Sequence, residues 1–125
     1  MKTFNLHKYG ADHAIYLRIE TYLTGNLAIQ MMTDTEDGPI LWNVLTVNLM
    51  GICDKNCAFI DTNNNGDEIL KWIKENRLAR PTGNFVGSGY CKYPEYRFYK
   101  KVLEEIDPDG YAEYLEVQKQ LGNIE

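Results

Sequence analysis

The sequence predicts an α+β fold with an antiparallel sheet in the first half and helices mainly in the second half. Up to about residue 60, apolar residues recur at every second position, which is the period of a half-buried strand. After the stretch DTNNNG at 61–66, the apolar period changes to that of a helix. The segments between the predicted strands are too short for crossover helices, so neighbouring strands are expected to be antiparallel. A chain of 125 residues has the usual length of one domain, and we expect residues 1–125 to form a single globular unit.

Five segments of the first half have the composition and alternation of strands. They are TFNLHK, AIYLRIETYL, LAIQMMT, ILWNVLTVNL and CAFI. Turn-forming residues separate several of them, notably in TGN and TDTEDGP. We expect ILWNVLTVNL to be one long strand, in which alternation places Leu45, Val47 and Leu49 on the same face.

Two helices are predicted in the second half, at about 67–78 and 108–121. Asn65 or Asp67 is suited to cap the first helix, and Asp107, which precedes a proline, is suited to begin the second. Between them, RPTGNFVGSGY contains one proline and three glycines, which favours irregular or bent extended chain. The next segment, YPEYRFYKKVLEEID, fits a helix with one apolar side, although its YRFY portion also fits a short strand.

The stretch DTNNNGDE resembles the start of a calcium-binding loop, because Asp61, Asn63 and Asn65 place side-chain oxygens at alternate positions. Such a loop ends on a residue that supplies a bidentate carboxylate, and in this chain that position is Trp72. We therefore expect no ion there. The three side chains are instead expected to form turn and cap hydrogen bonds, since Asn and Asp readily bond to nearby main chain. No metal site and no cofactor are predicted elsewhere.

The three cysteines, Cys53, Cys57 and Cys91, are an odd number in a chain that shows no export signal, so a disulfide framework is not expected. Together with His7 or His13 they would supply four zinc ligands, but structural zinc sites usually show two closely spaced pairs. Free, partly buried thiols are the favoured interpretation. No apolar run approaches the roughly 20 residues that cross a bilayer. We therefore expect a cytoplasmic protein that has no membrane partner.

Charge is distributed unevenly along the chain, whose net charge is −5. Residues 71–101 carry 8 basic and 2 acidic side chains, residues 1–70 carry 4 and 9, and residues 102–125 carry 1 and 7. The basic segment is also rich in aromatic residues. Its cations and tyrosines form the candidate interaction surface: Arg80, Tyr90, Lys92, Tyr93, Tyr96, Arg97, Lys100 and Lys101.

Two hypotheses account for this basic aromatic stretch. Cations interleaved with rings are typical of single-stranded nucleic-acid grooves, where cations contact phosphates and rings stack on bases. Alternatively, the segment packs within its own domain, with several rings buried and the lysines facing the acidic carboxy-terminal helix. We favour the second hypothesis, because a net negative charge opposes non-specific attraction to phosphate.

Candidate catalytic residues are few. His7 and His13 lie near the amino terminus, without a serine or cysteine in a recognisable nucleophile context. Glu104 and Glu105 are adjacent on a predicted helix and therefore point in different directions. We predict no catalytic residue, and the sequence favours a non-enzymatic protein.

The strings CAFIDTNNN and GSGYCKYPEYRFY resemble a family of small bacterial proteins, domain of unknown function 4313. GNLAIQ and LTVNL are similar to that family's sheet segments, so the resemblance covers roughly residues 14–100. It implies a protein often encoded on a mobile element, with no assigned enzymatic residues. By analogy with other small acidic proteins of such elements, we expect a non-enzymatic interaction protein that binds a host or element protein. A single-stranded nucleic-acid accessory protein that uses residues 71–101 is the alternative.

Overall fold

The described residues form two four-stranded antiparallel sheets. The computed structural model describes residues 2–49 and 51–122. The first sheet is a meander of sequence neighbours: β1 (Phe4–Lys8), β2 (Ala11–Thr21), β3 (Leu27–Thr35) and β4 (Gly38–Val44). The second sheet comprises, in spatial order, β5 (Thr46–Val47), β6 (Cys57–Ile60), β8 (Cys91–Phe98) and β7 (Ala79–Ser88). Strand β7 is therefore an edge of the second sheet.

The helices lie mainly in the second half of the chain, and the predicted α+β class is confirmed. Within the described ranges they are α1 (Thr62–Asn65), α2 (Glu68–Glu75), α3 (Lys100–Ile106) and α4 (Pro108–Gln120). Asp67 occupies the cap position of α2, but its side chain makes no cap hydrogen bond. None of these helices has the length and apolar character needed to traverse a bilayer.

The segment ILWNVLTVNL is not one strand, contrary to the prediction. It pairs with β3 as far as Val44 and then changes sheet at Leu45. The Leu45 backbone N–H donates to the Ile29 carbonyl at 2.9 Å, and its carbonyl accepts from the N–H of Asp61 at 2.9 Å. Leu45 is completely buried and thus joins the two sheets. Alternation alone does not reveal such a break, because it continues when a chain exchanges one strand partner for another.

The glycine-rich segment RPTGNFVGSGY forms nearly all of strand β7 and the turn that follows it. β7 and β8 pair antiparallel up to a tight turn at Gly89 and Tyr90. A register shift between Pro81 and Phe85 bends β7, in agreement with the bent extended chain expected there. The ambiguous segment after the turn is a strand as far as residue 98 and a helix from residue 100. The second half therefore contributes half of one sheet as well as the helices.

A single core cluster joins both sheets to α2, α3 and α4. Strand β2 contributes Ile15, Leu17 and Ile19 to this cluster from one face. Helix α4 packs against β2 and begins at its predicted cap. The Asp107 carboxylate accepts hydrogen bonds from the backbone N–H groups of Gly110 at 3.0 Å and Ile19 at 2.9 Å. One side chain thus both caps the helix and attaches it to the sheet.

The DTNNNG stretch forms the short helix α1, which two side chains stabilise. The Asp61 carboxylate accepts from the backbone N–H of Asn64 at 3.1 Å and from its side-chain amide at 2.7 Å. The Asn65 amide donates to the carbonyls of Val44 and Asp61, both at 2.9 Å. The predicted turn and cap hydrogen bonds are therefore confirmed for Asp61 and Asn65, whereas Asn63 is exposed.

Candidate interaction groove

An open groove of about 950 Å³ lies between α2, the β7–β8 pair and the start of α3. We call it the basic groove, because an apolar floor is combined with a rim of exposed cations. The floor residues are Leu70, Ala79, Pro81, Tyr96, Tyr99 and Val102. The rim cations are Lys71, Lys74, Arg77, Arg80 and Lys101. Among the described residues, no carboxylate lines the groove.

Helical spacing explains why α2 borders the groove with cations. Lys74 lies four residues after Leu70 and three residues after Lys71, so it is on the same side of the helix as both. Ile69 and Ile73 occupy the opposite side and are buried in the core. This amphipathic pattern directs the lysines outward while α2 packs against the sheet.

Arg77 lies in the turn just after α2 and has a strained backbone conformation. Its φ is +54°, in the left-handed region that glycine usually occupies at this position. The N–H of Arg77 donates to Lys74 O and that of Leu78 to Ile73 O, each at 3.1 Å, which is the hydrogen-bond pattern of a Schellman motif. The turn redirects the chain into β7 and places a cation on the rim. Strain of this kind persists where the surrounding structure over-determines it and is frequent at binding sites.

The strands and α3 supply the rest of the floor. Pro81 and Tyr96 are directly opposed across β7 and β8. Tyr96 is only 9% exposed, and burial raises the pKa of its phenol, so this part of the floor is uncharged at neutral pH. Tyr99 is 41% exposed, and Val102 is partly buried against the core. The floor is therefore anchored in the core yet open to a ligand.

The rim cations are largely unpaired. Lys71 lies 3.8 Å from Glu75, with both side chains well exposed, so this pair contributes little. Within the described part of the chain, no salt bridge involves the other four: Lys74, Arg77, Arg80 and Lys101. Cations gathered around an apolar surface create a positive potential that attracts anionic ligands.

Three residues of the sequence-predicted surface, Arg80, Tyr96 and Lys101, come together in the basic groove. Four other cationic or aromatic lining residues belong to the same basic aromatic stretch but were not among the predicted surface residues: Lys71, Lys74, Arg77 and Tyr99. The spacing of the two lysines on one side of a predicted helix was the available signal.

Three predicted residues lie at the other end of the β7–β8 hairpin. Tyr90 is fully exposed in its turn, whereas Tyr93 is buried. The Lys92 ammonium lies 4.8 Å from the ring centroid of Phe85. Tyr96 on the groove floor is six positions after Tyr90, so the turn is about 20 Å along the strand from the groove. These residues do not form one surface with the rim cations.

The remaining two predicted residues do not line the groove. Arg97 lies across the strand pair from Arg80, and both line a small depression with Pro81 and Thr82. The Arg97 guanidinium lies 3.8 Å from the Asp54 carboxylate. Lys100 lines a separate depression with Glu116 and Lys119 of α4. The predicted surface is therefore divided among the basic groove, the hairpin turn, the surroundings of Arg97 and the separate depression that Lys100 lines.

The family model described as Domain of unknown function (DUF4313) matches residues 16–118. The chain belongs to this family. The DUF4313 match includes every element that lines the basic groove, and it confirms the resemblance indicated by CAFIDTNNN and GSGYCKYPEYRFY. Comparison with curated proteins and with solved structures found no match.

All three cysteines lie within the DUF4313 match. Burial, together with the nearby Glu95 carboxylate, raises the pKa of the Cys53 thiol to about 12. Burial likewise raises the pKa of Cys57 to about 11. Both thiols are therefore protonated and weakly nucleophilic at neutral pH. In the described ranges, no group of three His, Cys, Asp or Glu side chains is arranged to hold a metal ion.

The two histidines lie on the β1–β2 hairpin. His7 Nδ1 is 2.8 Å from a carboxylate oxygen of Asp12, and both side chains are about two-thirds exposed. This hydrogen bond lowers the pKa of the Asp12 carboxyl. His13 packs against Trp42, with ring centroids 4.3 Å apart. An exposed His–Asp pair resembles part of a catalytic triad, but a triad also needs a nucleophile within hydrogen-bond reach.

Proposed function

We propose that this chain is a non-enzymatic interaction protein that binds another protein through the basic groove. The observation that carries the proposal is an apolar floor bordered by five exposed cations, without a lining carboxylate among the described residues. Burial of apolar surface supplies affinity to such a site, while the cations attract and orient an acidic partner. By analogy alone, we assign the partner to the host cell or to a mobile element that carries the gene.

A protein partner accounts for the groove better than single-stranded nucleic acid does. Base stacking needs exposed aromatic faces beside the cations. The two lining rings are Tyr96, which is buried, and Tyr99, which is half-exposed. The most exposed ring, Tyr90, lies at the distant turn. The net charge of −5 further weakens attraction to phosphate.

Site-specific photocrosslinking tests the proposal. A photoreactive phenylalanine analogue at position 99 replaces Tyr99 within the groove. The same analogue in place of Tyr90, at the hairpin turn, is the control. In cells of the organism that carries the gene, we expect the first variant to crosslink to one discrete protein and the second variant not to do so. Mass spectrometry of the crosslinked band identifies the partner.

Matched charge variants test whether the rim cations are needed for the crosslink from position 99. Arg80→Glu combined with Lys101→Glu reverses two rim cations and should abolish the crosslink. Lys55→Glu combined with Lys92→Glu changes the net charge equally at exposed positions outside the groove and should preserve it. Crosslinking to nucleic acid would favour the nucleic-acid alternative. Equal crosslinking from both analogue positions would contradict the assignment of the groove.

A further inference from the structure

We infer that the segment bound in the basic groove is an acidic amphipathic α-helix of the partner protein. The inference rests on the proposed function and specifies the chemistry of the partner. Such a helix would bury an apolar stripe against the floor and place carboxylates beside the rim cations. Three features of the groove favour this ligand: its edge strand, its size and the spacing of its charges.

The edge strand β7 is poorly suited to bind an extended peptide. Strand addition requires a row of free backbone N–H and C=O groups on the edge. Pro81, on the groove floor, has no N–H, and the register shift between Pro81 and Phe85 interrupts the strand beyond it. A helix satisfies its own backbone hydrogen bonds and needs only side-chain contacts from the groove.

The size of the groove suits a helix that lies along its floor. A helix about 10 Å across has a cross-section of roughly 80 Å², so a groove of about 950 Å³ would contain about 12 Å of it. If about half of the helix is embedded, the length is about 24 Å, or roughly 16 residues. This is an ordinary length for a recognition helix.

The cations are spaced to match carboxylates on a helix. Lys71 and Lys74 are three residues apart on α2, which is about 4.5 Å along the helix axis, and Arg77 follows them in the turn that ends the helix. Acidic residues at i and i+3 of a bound helix repeat at the same interval. Arg80 from β7 and Lys101 from α3 add cations from other elements around the floor. If Glu or Asp residues flank the apolar stripe of the bound helix, their carboxylates would thus lie beside several rim cations at once.

The chain's own acidic helix does not serve as the ligand. Helix α4 packs against β2 of the first sheet. It leaves Lys74, Arg77, Arg80 and Lys101 without a salt bridge in the described residues. The acidic surface of a second copy is a competing ligand with the same charge, and the experiment below separates the two.

A designed peptide provides the direct test. The probe is a fluorescein-labelled peptide of about 16 residues with a stripe of Leu at i, i+3, i+4 and i+7, Glu on both flanks and Ala elsewhere. One control has the same composition in scrambled order, and a second control is labelled oligothymidylate. Fluorescence anisotropy should give a micromolar Kd for the amphipathic peptide, and about tenfold weaker binding for both controls.

Protein variants locate the binding. Arg80→Glu with Lys101→Glu should weaken peptide binding by about tenfold or more, and Lys55→Glu with Lys92→Glu by less than about twofold. All four side chains are exposed, and circular dichroism checks that both variants are folded. Peptide-induced changes in amide chemical shift should be confined to α2, β7, β8 and α3.

Equal binding of the scrambled peptide, or tighter binding of oligothymidylate, would overturn the inference. So would self-association in sedimentation velocity that the Arg80→Glu and Lys101→Glu variant abolishes, because a second copy would then occupy the groove. If position 99 crosslinks to a protein but the helical peptide does not bind, the helix assignment fails and the proposed function stands. If position 99 crosslinks to nothing while the peptide binds, the proposed function fails instead.

Discussion

Arg80 of β7 lies directly opposite Arg97 of β8 in the antiparallel register. Side chains opposed in this way project from the same face of the sheet, and both arginines line one small depression with Pro81 and Thr82. Arg97 has the Asp54 carboxylate at 3.8 Å, whereas no described residue forms a salt bridge with Arg80. Like charges on directly opposed residues are unfavourable in a sheet, and a carboxylate bound at Arg80 would offset this.

Arg80→Gln should stabilise the free protein by about 0.2–1 kcal/mol, because like charges on directly opposed residues destabilise a sheet. The same substitution should weaken binding in the basic groove. Urea denaturation measures the change in the free energy of unfolding, and Lys55→Gln is the control for the loss of one exposed cation. A destabilised Arg80→Gln variant would mean that the arginine has a structural role.

Arg77→Gly should also separate stability from binding. Glycine adopts the left-handed conformation of this position without strain, so the free energy of unfolding should rise by about 0.5–1 kcal/mol. Binding in the groove should weaken, because a rim cation is lost. Arg77→Ala is the matched control, since it removes the same charge and keeps the strain. Equal stabilities of the two variants in thermal denaturation would contradict the strain argument.

Tyr114→Phe should destabilise the protein by about 1–3 kcal/mol. The Tyr114 hydroxyl oxygen accepts a hydrogen bond of 2.9 Å from the backbone N–H of Asn56, and both residues are buried. Removal of the hydroxyl leaves that N–H without its partner in an apolar environment. Tyr90→Phe, at a fully exposed ring, should change the urea midpoint very little. Comparable losses of stability in the two variants would show that the buried hydrogen bond of Tyr114 makes no specific contribution to stability.

Gly110→Ala should destabilise the contact between α4 and β2. A Cβ at this position would lie 2.5 Å from the carbonyl oxygen of Ile19 and would also collide with the Asp107 carboxylate. The helix would have to shift, at a cost of about 1–3 kcal/mol. Gly87→Ala is the control, since the nearest atom to its Cβ is 3.9 Å away. An unchanged melting temperature for Gly110→Ala would show that α4 packs less closely than described.

Stability should fall as the pH rises above about 9. Cys53 and Cys57 have pKa values of about 12 and 11 in the folded protein, against an ordinary value of 9.0. The unfolded chain therefore loses these protons first, and its ionisation favours unfolding between about pH 9 and 11. Urea denaturation at intervals from pH 7 to 11 measures this loss, and Cys53→Ser should reduce its slope. If the stability of the wild-type protein rises between pH 9 and 11, the raised pKa values of Cys53 and Cys57 are refuted.

The elements that the sequence predicted well depend on local chemistry. The face of β2, the start of α4 at Asp107 and the hydrogen bonds of Asp61 each follow from residues close together in the chain. Periodicity and capping are properties of such short segments. The α+β class followed from them, because a change of period is visible without knowledge of long-range contacts.

The sequence by itself thus determined the type of strands β1, β2, β3 and β6 and of helices α2 and α4, and the presence of a basic aromatic stretch between acidic flanks. Only the tertiary structure decided that the chain changes sheet at Leu45, that Tyr93 and Tyr96 are buried, and that Arg80 and Lys101 join the cations of α2 around one groove. The physical reason is that these outcomes depend on strand partners and helix packing. Apolar burial favours such contacts between distant segments according to their fit in three dimensions, which short-range periodicity does not encode.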